Sequence, residues 1–275
     1  MDPDAKPAGG IVTLGIAGDA GILLIEAPSE SPPGAAALTL EVIRGTAPPP
    51  GPLEPIFDSK GLWKVSRSVE GFVFDLPGRR AVVDFHAGRG RICLDASVPG
   101  ASPLAYPLDE ILFSRLLADR GVIIVHAAGV VAGGRGLLFA GPSGAGKSTL
   151  AGLFAEAKGS LVLSDDRVAV GLQGERAVIG GTPWHGTSGL GSNGTAPLEC
   201  IFFLRHAQDN GAEPLSISDA AARLLALTVI PFWDREAARS ATHAAASVAE
   251  LVRASDLGFT KNATVVTYVT GLLGF

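Results

Sequence analysis

The stretch Gly136-Leu137-Leu138-Phe139-Ala140-Gly141-Pro142-Ser143-Gly144-Ala145-Gly146-Lys147-Ser148-Thr149-Leu150-Ala151-Gly152-Leu153-Phe154 decides the fold. Its first five residues are an apolar run of strand type. Gly141 to Ser148 then complete a phosphate-binding P-loop pattern, and Thr149 onward continues with helical spacing, the strand-loop-helix context that the pattern requires. Gly141, Gly144 and Gly146 admit close approaches that a Cβ would block, so loop N–H groups can turn toward phosphate oxygens. Lys147 offers a mobile cation to the β- and γ-phosphates and Ser148 a hydroxyl to Mg²⁺, while the start of the helix adds its partial positive charge. The expected nucleotide-binding segment therefore runs through Gly141, Pro142, Ser143, Gly144, Ala145, Gly146, Lys147, Ser148 and Thr149, with ATP and Mg²⁺ as its ligands. A glycine-rich turn holding a chance lysine would carry neither the intact spacing nor these flanks.

Downstream, Ser160-Leu161-Val162-Leu163-Ser164 reads as a buried strand that ends in Asp165-Asp166. A strand beside the P-loop strand would deliver those carboxylates toward the metal. Two adjacent carboxylates near a dication sit in different environments, so one can hold metal while the other accepts a hydroxyl proton. Taken alone, the pair reads as a turn capping a strand; following a P-loop helix, it reads as part of a phosphoryl-transfer site. Upstream, His126 stands in the apolar strand Val122 to Ala128. A lone histidine in such a strand reads as a hydrogen-bonded core residue, and position by itself assigns it nothing more.

Around this segment the chain divides in two. Residues 8 to about 100 hold short alternating or β-branched runs, at Ile11–Ile16, Gly21–Glu26, Leu38–Ile43, Phe72–Leu76, Ala81–Phe85 and Arg91–Leu94, which predict several strands and few helices. Thr46 to Pro55 carries five prolines and predicts an exposed loop. A helix is expected from Tyr106 to Leu117, where acidic residues follow a proline and the apolar period changes. The boundary therefore falls near 105, giving a smaller β-rich region (1–105) and a P-loop domain (106–275). Beyond Asp166 the pattern predicts that Arg167–Val170 continue the preceding strand, then a strand at Ala177–Gly180, a long loop at Gly181–Pro197, a strand at Leu198–Leu204, helices at Asp219–Leu227 and Arg235–Ala254, and a strand at Ala263–Val269. Asp234 reads as the N-cap of the second helix. Trp184 and His185 fall in the glycine-rich loop, where a substrate lid or a simple plug would sit, and Arg205-His206 close a strand as candidate substrate contacts.

With 275 residues, 47% of them hydrophobic, the chain can build a sizeable core. The net charge of −5 and the absence of a dense Lys/Arg cluster argue against nucleic acid as a partner. Cys93 and Cys200 stand in apolar stretches without metal-ligand spacing, which predicts two buried thiols in a reducing compartment. No apolar run is long enough to span a bilayer and no secretory signal pattern stands at the N-terminus, so the expected address is the cytoplasm.

The set His126-Ala127-Ala128-Gly129-Val130-Val131, then Gly136 to Thr149, then Gly159-Ser160-Leu161-Val162-Leu163-Ser164-Asp165-Asp166-Arg167-Val168 resembles the catalytic domain of the HPr kinase/phosphorylase family. The resemblance implies an α/β fold with a central mixed sheet, the P-loop architecture shared with phosphoenolpyruvate carboxykinases. It implies a kinase in which Lys147 binds phosphate, Ser148 and Asp165 hold Mg²⁺, Asp166 takes the proton of a hydroxyl acceptor, and His126 is the active-site histidine. The family's downstream Glu-(Ile/Val)-Arg-Gly signature has no counterpart here, so the acceptor stays open between a protein or peptide hydroxyl and a small molecule. An ATP-binding regulatory module and a carboxykinase-like enzyme are the competing readings. The region before 105 is left to select a substrate, to form a homo-oligomer or to complete the fold.

Overall fold

The computed structural model describes residues 38–45, 50–98, 102–186 and 188–274 in full, and 9–17 and 22–26 as backbone strands alone. The chain is mixed α/β with two separate sheets, and it passes from one compact unit to the other between Leu116 and Leu117.

The first unit holds β1 (Gly9–Ala17), β2 (Ile22–Glu26), β3 (Leu38–Arg44), β4 (Glu54–Asp58), β5 (Lys64–Ser68), β6 (Gly71–Leu76), β7 (Arg79–Asp84) and β8 (Arg89–Leu94) in one sheet of order β2-β1-β3-β8-β7-β6-β5-β4. From β4 to β8 it is an antiparallel meander, and β3 joins β8 in parallel. Val65, Phe74, Ala81, Val83, Ile92 and Leu94 are fully buried in its core, and the Phe72 and Phe74 rings meet Phe85 edge-on. β4 was unexpected, because it begins inside the proline-rich stretch that predicts a loop. It pairs with β5 alone at the rim of the sheet, where a proline such as Pro55 removes no necessary ladder bond. Of the rest of that predicted loop, 50–53 form neither helix nor strand and 51–53 are exposed, while 46–49 lie outside the described residues.

The helix α1 (Leu108–Ala118) leads into the second unit, which contains β9 (Val122–Ala132), β10 (Arg135–Ala140), α2 (Lys147–Ala155), β11 (Ser160–Ser164), β12 (Arg167–Gln173), β13 (Arg176–Gly180), β14 (Thr195–His206), β15 (Gly211–Pro214), α3 (Ile217–Ala226), α4 (Arg235–Leu251), β16 (Arg253–Phe259) and α5 (Thr264–Leu272). Two strands are long enough to serve two layers. Residues 127–132 of β9 pair with β10, while 122–126 pair with β12. Residues 195–197 of β14 pair with β13, and from Leu198 onward the same strand runs parallel to β10. One layer thus reads β11-β9-β10-β14-β16-β15, with β10, β14 and β16 mutually parallel. The other, β9-β12-β13-β14, is wholly antiparallel.

Strand alternation sends neighbouring side chains to opposite faces. Leu137 and Phe139 join Leu150, Phe154, Phe202, Val265 and Val269 under α2 and α5. The Phe139 ring stacks on Phe202 with centroids 5.5 Å apart and lies 5.3 Å from that of Phe154. Leu138 and Ala140 face the other way, toward Val168, Ile179, Phe203 and the alanine-rich face of α4. Asp234 caps α4, accepting from the amides of Glu236 (3.0 Å) and Ala237 (3.3 Å).

Further stretches differ from the sequence expectation, beginning with Thr195–Pro197, which belong to β14 rather than to the preceding loop. Ala263–Val269 is no strand; α5 occupies it. Its β-branched residues favour extended backbone, but Val265 and Val269 fall four apart on one buried face, and each buried side chain is worth roughly 1.5–3 kcal/mol. Asn262, ahead of the N-cap Ala263, also accepts from the Thr264 amide at 2.9 Å. The helix expected to reach Ala254 stops at Leu251, and β16 follows, flanked by β14 and β15. The run Arg253-Ala254-Ser255-Asp256 has little strand preference of its own; ladder bonds on both sides supply it. Arg167–Val170 does not extend the strand before Asp165 but opens β12, in the other layer. No helix among the described residues is long and apolar enough to cross a membrane.

Candidate functional site

Backbone register draws the predicted residues to one place. Ala140, the last residue of β10, pairs with Ala127 of β9, and the next residue along β9, His126, pairs with Arg167 of β12. The Ala127 amide donates to the Asp166 carbonyl at 3.1 Å. Gly141 begins its loop where β10 ends, so the loop, His126 and the Asp165-Asp166 turn all depart from one crossing of strands.

The loop from Gly141 to Gly146 delivers the chain into α2. Gly146 is the N-cap, at φ 100° and ψ 15°, with no side chain capping the helix and no acidic residue in its first turn. The first amides of α2 are thus left to an external acceptor, with the helix dipole behind them. Pro142, Ser143, Gly144 and Thr149 are exposed and Ser148 is half-buried. Lys147 is buried and folds back across the loop, its Nζ donating to the carbonyls of Gly141 (2.8 Å) and Pro142 (2.9 Å). Burial lowers the affinity of this ammonium for its proton, Arg167 adds to the effect, and Asp166 opposes it.

Beside the loop, His126, Asp166 and Arg167 form a compact triplet. The Arg167 guanidinium Nη1 lies 2.5 Å from His126 Nδ1 and donates to Asp166 Oδ1 at 3.0 Å, while His126 Nδ1 and Asp166 Oδ1 are 3.1 Å apart. All three are partly buried. The imidazole is held below its ordinary pKa by burial first, then by the charges of Lys147 and Arg167, against the pull of Asp166. The first three influences favour the uncharged ring.

Asp165 points elsewhere. Its side chain is buried, and both oxygens are engaged by the loop after β13: the Gly186 amide donates to Oδ1 at 2.6 Å, and the Ser188 amide (3.2 Å) and hydroxyl donate to Oδ2. Burial alone would raise this carboxyl, but the Ser188 hydroxyl and the Gly186 and Ser188 amides outweigh it and hold the group below the usual carboxylate value. The same turn grips the loop twice more, with the Ser164 hydroxyl donating to the Trp184 carbonyl (2.9 Å) and the Thr182 hydroxyl to the Arg167 carbonyl (2.5 Å). Trp184 and His185 therefore belong to a segment pinned to the Asp-Asp turn. Arg205, at the end of β14, pairs with Glu213 at 2.7 Å.

Arg167, Ser164, Thr182 and Ser188 take part in the site although no sequence motif gives them a role. Only Arg167 had a local signal, its place directly after the two aspartates; the others are set by pairings remote in sequence. Cys93 and Cys200 are buried thiols, with Cys200 pushed up to about 12 by burial. Among the described residues, no group of three His, Cys, Asp or Glu side chains is placed to hold a metal.

No protein-family model matches the chain, and no curated protein matches it. Similarity to solved structures is found as well. The Hpr(Ser) kinase/phosphatase from Coxiella burnetii shares 11% identity with this chain, over 55% of this chain and 93% of its own, with a TM-score of 0.32. At those values the likeness is coarse and assigns no residue a role.

Proposed function

We propose that the second unit is an ATP- and Mg²⁺-dependent phosphotransferase of HPr-kinase-like type that moves the γ-phosphoryl group to a hydroxyl on a protein, peptide or small molecule. One observation carries this reading: the strand register that sets a P-loop pattern and a His126–Asp166 pair at the same crossing of β9, β10 and β12. The loop amides and Lys147 bind the phosphates, for which Lys147 exchanges its two carbonyl partners for phosphate oxygens. Asp166 has Oδ1 tied to Arg167, and Oδ2 takes the proton of the acceptor hydroxyl as the acceptor oxygen bonds to the γ-phosphorus and the bond to the β-phosphate bridging oxygen breaks, releasing ADP.

Mg²⁺, when bound, neutralises charge on the phosphates. Ser148, half-buried at the start of α2, fits as its hydroxyl ligand. Asp165 does not fit as it stands, because its oxygens are taken by three donors; it could serve only after the loop lets go.

The test is Asp166→Asn with γ-labelled ATP and an extract of the source cells. The wild-type chain should label an acceptor, and the variant should bind nucleotide with unchanged affinity and label none. Equal labelling by both would remove Asp166 from the role. A wild type that binds ATP and labels nothing would favour a regulatory nucleotide-binding module.

A further inference from the structure

Arg167 lies outside the roles assigned so far, yet it touches both members of the proton-handling pair. Its Nη1 contacts His126 Nδ1 at 2.5 Å and Asp166 Oδ1 at 3.0 Å. A guanidinium carries only donors and keeps its charge at any working pH. The atom facing it at 2.5 Å must therefore present a lone pair. If Nδ1 carried a hydrogen for Asp166 Oδ1, 3.1 Å away, that hydrogen would compete with an Arg167 N–H in the same small space, and the longer contact would be kept at the expense of the shorter. Nη1 has two hydrogens, enough to serve Nδ1 and Oδ1 together. The ring's one proton then belongs on Nε2.

We infer that Arg167 is a positioning residue that fixes His126 as the neutral tautomer with its hydrogen on Nε2, so that His126 serves the reaction as a hydrogen-bond donor and leaves proton removal to Asp166. The register makes this arrangement structural, since His126 and Arg167 are direct partners in the β9–β12 ladder and the His126 amide is tied on its other side to the Leu227 carbonyl at 2.8 Å. Both side chains thus leave neighbouring backbones with little freedom to separate. With Nδ1 occupied, Nε2–H is the ring atom left to an external group, and its complement is an oxygen bearing negative charge, such as a γ-phosphoryl oxygen. A neutral donor suits that place, because Lys147 and Arg167 already supply two cations. A single oxygen of Asp166 remains for the acceptor's proton, and the division of labour follows: Arg167 orients, His126 donates, Asp166 accepts.

The assignment of the phosphoryl oxygen rests on the phosphotransferase reading; the tautomer does not. Nitrogen NMR on the full chain labelled at its histidines tests the tautomer directly, at mildly alkaline pH and without nucleotide, with His126→Gln identifying the His126 signals. The expected pattern is Nδ1 in the range of an unprotonated nitrogen and Nε2 in the range of an N–H. A protonated Nδ1 in the wild type overturns the inference and needs no variant that must fold. In Arg167→Gln the preference should collapse to a mixture of tautomers; an unchanged pattern there overturns the role of Arg167. With an acceptor in hand, the same variant should lose roughly tenfold or more in kcat, the scale of one charge-assisted hydrogen bond, with KM for ATP little changed. If the NMR pattern holds and no acceptor is ever labelled, the phosphotransferase reading fails and the Arg167–His126 relationship stands.

Discussion

Gly146 lies against the ring of Phe259: a Cβ built on that glycine would stand 2.7 Å from Phe259 Cζ. The loop's last residue is therefore fitted to a side chain at the far end of β16, and its backbone is in the left-handed region at φ 100°.

Gly146→Ala meets both constraints together, strained backbone and a ring that must move. It should lower stability by about 1–3 kcal/mol and weaken ATP binding more than that fall explains. Phe259→Leu in the same chain should recover part of the melting temperature and little of the binding. Thermal unfolding and nucleotide titration of the two variants check this; full recovery of both would reduce Gly146 to a packing residue.

Lys147 should matter to the ligand more than to the fold. Its present partners are two carbonyls of its own loop, which water can also serve. Lys147→Met should leave the melting temperature within a few degrees and cost about 1.5–3 kcal/mol of ATP affinity, roughly 10- to 150-fold, on the scale of a lost charge-assisted contact. Calorimetric titration with ATP and Mg²⁺ reads it out.

Asp165 makes stability depend on acid. Its folded-state carboxyl is held below the ordinary value, so its contribution is complete above the unfolded-state pKa and is lost as pH falls through the depressed folded one. Asp165→Asn places an amide N–H₂ against donors from Gly186 and Ser188. It should lower unfolding free energy near neutral pH by about 1–3 kcal/mol, and the gap to wild type should narrow as the pH drops through the carboxylate range. Denaturant melts at several pH values measure it, and a gap that does not change with pH would contradict the assignment.

Gly136 is a close approach of backbone to side chain. A Cβ there would lie 2.2 Å from Ile179 Cγ2 and 3.0 Å from the Pro197 carbonyl. Gly136→Ala should cost about 1–3 kcal/mol through overpacking, and Ile179→Ala added to it should return part of that loss rather than add its own. A double-mutant cycle in urea gives the coupling.

The parts of the site that were legible in sequence are those built locally. The P-loop pattern, its strand and its helix need only the order of Gly141 to Phe154, and the two aspartates mark the end of β11. What Asp165 and Asp166 each do was not legible, because their neighbours come from afar: Ser188 and Gly186 for one, His126 for the other. Resemblance supplied His126 a role, while Arg167, read as the tail of a strand, acquired one only through its register partner. The fold shows the same division. Alternation revealed the strands β6 to β8, whereas β16 and α5 are decided by what packs on either side of them, against the preferences of their own residues.

The change of layer within β9 has a mechanical meaning. His126 is the last residue of β9 held by β12, and Ala127 the first held by β10. Asp166 lies where the chain passes from β11, in the layer of the P-loop strand, to β12, in the other, so in the proposed reaction the gap between the phosphate-binding loop and the proton acceptor would depend on how the two layers meet. A slight change in the angle between the layers, made by repacking residues far from the loop, would then retune that distance as a turn of a screw sets the jaws of a clamp.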